Sequence, residues 1–284
     1  MPVLVAMVLG LQSQAAAQPA QEALNRFKGL YEREWAWRQA QSSGLDEDGD
    51  RTVAVRDRFP KVDAATQADR LRYWTDVLGE LKTIEVAKLS PEDQVNFAIY
   101  TAQVEALEAS ARFRDYEKPF NSDSSFWAEV TGAAQRPLRT IEDYRGYLRL
   151  LADIPRYFSE QTVNMRAGLA RDFSVPQVTL TGRDASISAV ADVVEVEKNP
   201  FWAPLNKMPG RFSAAEQNEV RTGASKVIRE SVLPSYQALL KFMREEYAPK
   251  ARLALDAESY PVSYTHLRAH ETKANLVCRL LLEK

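Results

Sequence analysis

Histidine and cysteine are almost absent from this chain. Among 284 residues there are two His and one Cys. His266, His270 and Cys278 all fall within residues 262–284. A single cysteine excludes a disulfide framework within the chain, and so few imidazoles and thiols make a zinc site hard to assemble. A dominant charge is missing too. Lys plus Arg number 37 against 39 Asp plus Glu, a formal charge of −2. That balance exerts no general pull on nucleic acid, so no nucleic-acid partner is expected. No apolar run approaches the roughly 20 residues of a membrane-spanning helix. There is no Gly-rich phosphate loop and no repeat of fixed period. What is present is a hydrophobic fraction of 45% and a charged fraction of 27%. Those values belong to a globular chain with a sizeable core, not to a disordered or collagen-like one.

The two ends read differently from the body. Val3–Leu11 is a short apolar run, broken only by Gly10, and Ala15-x-Ala17 is the small-residue pattern that signal peptidase accepts. The pattern predicts a signal peptide over 1–17 with cleavage before Gln18, although no Lys or Arg precedes the apolar run. The mature protein is then expected to be periplasmic or secreted, with no stable membrane anchor. At the other end, Val262–Thr272 and Asn275–Lys284 resemble the translated ends of a sequencing-library adapter, with Lys273-Ala274 where a variable index would sit. Residues 262–284 are therefore set apart as non-native. His266 and His270 stand at i, i+4, as a helical zinc site needs, but Leu267 occupies the position a metalloprotease gives to its general-base Glu. Neither they nor Cys278 are assigned a role. The tail holds four basic and two acidic residues, so setting it aside moves the formal charge from −2 to −4. It also leaves residues 1–261 with no His and no Cys, and hence no imidazole or thiolate chemistry. No catalytic residue, metal ligand or cofactor is assigned within this chain.

Between the ends, helical signals follow one another. Gln21–Gln41 carries Leu24, Phe27, Tyr31 and Trp35 at helical spacing, which predicts one buried face. A helix is predicted over 63–84 with Asp63 as cap and Leu71, Trp74, Leu78 and Leu81 as its stripe. Ser90-Pro91-Glu92-Asp93 starts another, with Val95, Ile99, Ala102, Ala106 and Phe113 along it. A short helix is expected over 126–132. Thr140 opens a helix carrying Tyr144, Tyr147, Leu151, Ile154 and Phe158, with a kink at Pro155. Residues 173–180 read as extended, 184–198 as helix, and the three-proline stretch 199–210 as loop. Ser213-Ala214-Ala215-Glu216 is a capping box before a long helix, kinked at Pro234 and ended by Pro249. With no alternation of strands and helices, the fold is predicted to be all-α, an irregular multi-helix array over 18–261.

Other clusters have readings that follow from their chemistry. Asp46, Asp48 and Asp50 match the first ligands of a calcium loop, but Arg51 replaces its Gly and Asp57 its final Glu, so a solvated acidic loop is the reading. Glu32, Arg33 and Glu34 read as a solvated helix face. Trp35 and Trp74 read as core. Phe201-Trp202, between Pro200 and Pro204, is the candidate cleft wall. Arg183, after Gly182, could bind a substrate carboxylate or make an internal salt bridge, and Asp184 reads as a helix cap. Asn121 with Ser122–Ser125 reads as a self-bonding loop or a surface for another segment.

The order of several phrases resembles a bacterial family called domain of unknown function 885. They are Phe120–Phe126, Ile154–Phe158, Asn164–Leu169, Pro176–Ile187, Asn199–Phe201, Met208-Pro209 and Tyr247–Arg252. Family members resemble helical zincin-type metallopeptidases. They are longer than this chain and carry H-E-x-x-H in a C-terminal half. The resemblance implies that this chain is an incomplete N-terminal part of an exported zinc peptidase, inactive alone. It implies zinc and a peptide substrate for the complete protein, and no zinc ligand can be carried over here. The alternative is an exported helical binding or scaffold module without catalysis. The substrate-cleft candidates in either case are Arg183, Phe201, Trp202 and Asn121.

Overall fold

The computed structural model describes residues 3–41, 57–121 and 124–255, with side chains from residue 19 onward. Among them there is no strand; Phe120 and Ser125 share one isolated antiparallel bridge. The fold is all-α. The acidic run 46–50, the central residues 122–123 and the tail from 256 lie outside the described residues. The body expected as one domain contains two compact units.

The first unit holds most of α1 (Val3–Gln41), most of α2 (Ala64–Leu81) and α3 (Pro91–Phe113). Helix α1 runs through the segment predicted as a leader and past Pro19. Helix α3 starts as its sequence demands: Ser90 Oγ accepts the Asp93 amide at 3.1 Å, with Pro91 in the first turn. The core comprises Phe27, Leu30, Trp74, Val77, Leu81, Ile84, Tyr100, Val104 and Ala111.

Two helix faces are rotated from their predicted positions. In α1 the buried stripe is Ala23, Phe27, Leu30 and Glu34, while Tyr31 and Trp35 stand 45% and 47% exposed. In α3 the stripe is Tyr100, Val104, Glu108 and Ala111, and Val95 and Ile99 face out. Both helices carry aromatic or branched residues on two faces, and packing selects one. Glu34, read as solvated, is completely buried. Arg38 grips it with two hydrogen bonds of 2.9 and 2.7 Å, and Trp74 Nε1 and Tyr100 Oη donate at 3.4 Å. A buried charge persists when it is paired and hydrogen-bonded in this way. Burial and the neighbouring Glu34 raise the Tyr100 pKa, which keeps that phenol a donor.

The second unit is built on α4 (Phe126–Gly132), α5 (Ile141–Ala152), α6 (Ile154–Ala170), α7 (Ala185–Ala191), α8 (Ala214–Val227), α9 (Leu233–Phe242) and α10 (Ala248–Lys250). Ser213 forms the predicted capping box with Glu216, and Thr140, predicted as a cap, forms one too, with Asp143 as its reciprocal acceptor. Pro155 produces a break between α5 and α6, and sits in the first turn of α6, where its missing N–H costs nothing. Helix 184–198 is shorter than predicted: α7 stops at Ala191, and Val196–Lys198 is a 3₁₀ turn. The region 173–180 is not extended throughout, since Gln177–Leu180 is also 3₁₀. The predicted loop 199–210 contains a 3₁₀ segment, Pro200–Lys207, whose fixed proline φ angles suit the tighter helix.

From Ala214 to Lys250 the backbone is helical without interruption, but two turns are π-helical: Ile228–Val232 and Met243–Tyr247. Each precedes a proline. Pro234 and Pro249 cannot donate, and their rings crowd the carbonyl four residues back. The ladder widens instead of breaking. Leu233 N–H donates to Ile228 O and Ala248 N–H to Met243 O, five residues back. The kink expected at Pro234 is thus a widened turn, with Ser235 Oγ donating to Ser231 O at 2.6 Å.

Helix α7 packs on α9 and α5 on α8. Trp127, Tyr144, Tyr147, Tyr236, Tyr247, Phe126 and Phe201 fill the centre. Several of their polar ends are bonded: Tyr147 Oη donates to Phe201 O at 2.8 Å, Tyr236 Oη to Trp127 O at 2.8 Å, Tyr144 Oη to Pro204 O at 3.3 Å, and Trp127 Nε1 to Ser186 Oγ at 2.9 Å. Such satisfaction is what lets aromatic polar groups enter a core.

Candidate functional site

The four cleft candidates fall into two pairs. Phe201 and Trp202 are 0% and 6% exposed and belong to the hydrophobic core. Asn199 caps their segment, its Oδ1 accepting the Phe201 amide at 3.2 Å and its amide group bonding Val190 O and Val193 O. Both rings lie on the 3₁₀ segment and are buried within this chain.

Arg183 and Asn121 are brought together although far apart in sequence. Arg183 Nη2 donates to the Asn121 carbonyl. The Asn121 side chain accepts the Ser124 amide at 2.8 Å, and the Asn121 amide donates to Ser124 O at 3.0 Å. This is the self-bonding loop expected from Asn and Ser. Gly182, with φ of +75°, makes the turn that aims Arg183 back at it, a backbone state that favours glycine.

The turn also forms one wall of an open groove of about 430 Å³. Gln177, Leu180, Thr181, Gly182 and Asp184 line one side, and Met243, Arg244, Ala248 and Pro249 the other. The second wall is the π-turn before Pro249. Gln177 ties the walls together: its Nε2 donates to Ala248 O at 2.9 Å and its amide to Arg252 O at 2.8 Å. Asp184 stands at the N-terminus of α7 but makes no side-chain cap there. It accepts from Arg244 Nε at 2.7 Å across the groove. The carboxylate thus pairs with a full positive charge rather than with a helix amide.

Sequence reasoning missed Arg244. It lies in Arg244-Glu245-Glu246, which reads as an ordinary solvated helix face. The local signal was Pro249, since the π-turn it induces sets the position of Met243 and Arg244. π-Turns recur at functional sites for this reason.

Among the described residues no three His, Cys, Asp or Glu groups converge, so the described donors do not fit a zinc ion. Among the described residues, no helix is long and apolar enough to cross a membrane.

The comparisons with known proteins agree with this architecture. A solved structure described as a "putative lipoprotein from Colwellia psychrerythraea" superimposes with a TM-score of 0.54 at 14% identity. The match covers 84% of this chain and 42% of that one, so this chain spans less than half the length of that relative. At that identity the likeness concerns the fold. No curated protein matches the sequence. The family model described as "Bacterial protein of unknown function (DUF885)" matches residues 38–276, which carries it beyond residue 261, where the sequence reading ended the native body. With most of its length matched, the chain belongs to the DUF885 family of bacterial proteins.

Proposed function

We propose that this chain is the non-catalytic helical part of an exported, zinc-dependent peptidase, and that it contributes one wall of the peptide-binding region. The observation that carries the reading is the 42% coverage of the solved relative, taken with membership of the family. A protein of twice this length has room for the chemistry that this chain lacks. The sequence contains no H-E-x-x-H, and its described carboxylates do not converge, so no step through a metal is drawn on these residues. Export is supported by the apolar N-terminal run with Ala15-x-Ala17, and by the lipoprotein description of the structural relative.

The assay is hydrolysis of a quenched-fluorescent peptide library with added zinc. The purified chain is expected to show none, and the product of the complete reading frame is expected to show it. Zinc-dependent hydrolysis by this chain alone would overturn the reading. The alternative, a binding module without catalysis, is favoured by one observation: the groove between Asp184 and Arg244 is formed entirely within this chain. It predicts an inactive product from the complete frame as well.

A further inference from the structure

We propose that the groove beside the second π-turn binds a small monoanionic carboxylate on an apolar body, anchored by Arg244. The inference goes beyond the peptidase reading and does not depend on it.

The anchor is built into the fold. Arg244 uses only its Nε on Asp184, at 2.7 Å. Among the described residues no acceptor meets its two terminal nitrogens. Asp184 therefore holds the guanidinium plane in place without consuming the edge that makes two parallel bonds to a carboxylate. Half of the Arg244 side chain is exposed, so the edge is reachable.

The surroundings select the rest of the ligand. Leu180, Met243, Ala248 and Pro249 give apolar surface beside the charged pair. About 430 Å³ lies in the range of small-molecule pockets and suits a body of dipeptide size. Asp184 sets the charge limit. It repels any anion seated on Arg244, and a phosphate dianion more strongly than a single carboxylate, so the pair favours one negative charge. The walls are braced: Gln177 spans them through Ala248 O and Arg252 O, and the π-turn is closed by Ala248 N–H on Met243 O. Such a site loses little to reordering on binding.

The test is isothermal titration of the full chain with N-acetyl-Ala-Ala, its C-terminal amide and hexanoate. The acid is expected to bind at least about tenfold tighter than the amide, equivalent to ~1.4 kcal/mol. Arg244→Gln is expected to abolish that preference and Arg244→Lys to reduce it. Hexanoate equal to the dipeptide acid assigns the groove to free organic acids, and weaker hexanoate assigns it to peptide termini; both support the carboxylate site. Equal affinity for acid and amide overturns the proposal without requiring any variant to fold. So does a preference that survives Arg244→Gln.

Discussion

The buried Glu34 makes an asymmetric prediction about its own ion pair. Glu34 has no exposed surface, whereas Arg38 keeps 29% of its side chain in water. Arg38→Met leaves the carboxylate stranded in the core. Trp74 and Tyr100 still donate to it at 3.4 Å, so the loss falls at the low end for a broken buried pair, about 3 kcal/mol. Glu34→Gln removes the charge but keeps the shape and one acceptor. Arg38 can then turn to solvent, and the loss is about 1 kcal/mol. The ranking is therefore Arg38→Met well above Glu34→Gln, although the glutamate is the more deeply buried. Hydrogen exchange of the α2 and α3 amides reports the opening free energy of that unit alone. If Glu34→Gln costs as much as Arg38→Met, or if both stay within about 0.5 kcal/mol of the parent chain, the carboxylate is not held as described.

Two further outcomes follow from the second unit. A Cβ at Gly168 would sit 2.7 Å from both Glu117 O and Phe173 O, and neither backbone atom can swing aside. Gly168→Ala should cost about 3 kcal/mol in urea unfolding, and a loss under about 0.5 kcal/mol would contradict that packing. Glu246 is held below the usual carboxylate range, chiefly by its hydrogen bonds from Arg166. A depressed folded pKa contributes stability above the unfolded value near 4, and that contribution is lost as pH falls through the folded value. Glu246→Gln should therefore lower Tm at pH 7, with the gap closing as pH falls below the unfolded value and through the depressed folded one. A gap that widens on acidification would reverse the sign.

How far the sequence reveals this structure depends on the range of the signal. Ser90, Thr140 and Ser213 announce helix starts because a cap is settled by residues three positions apart. The all-α class follows from the same local periodicity. The orientation of α1 and α3 does not, because Tyr31, Trp35, Val95 and Ile99 form an equally apolar face and only the partner helices choose between faces. Glu34 shows the error of reading charge as exposure: its donors, Trp74 and Tyr100, come from other helices. The candidate site divides the same way. Gly182 marks a turn at short range, but the partners of Arg183 and Asp184 are Asn121 and Arg244, some sixty positions away. The burial of Phe201 and Trp202 is not legible because three prolines in one stretch suggest a loop, whereas proline φ angles are equally at home in a 3₁₀ helix.

The π-turns change what an insertion or deletion means for this protein. A π-turn holds one residue more than the α-turn it replaces, so the long rod carries slack at two defined places. Removing a single residue between Met243 and Tyr247 would let an ordinary α-turn form and would spare everything upstream. Everything downstream would keep its phase, because the residue removed is the one the wide turn already absorbs. The same removal within α9 has no such slack to draw on and would rotate everything downstream by about 100°, since each helical residue advances the chain by that angle. Pro249 would then leave the groove, and the Arg252 carbonyl would leave Gln177. The two wide turns are thus the places where the rod tolerates the loss of a codon.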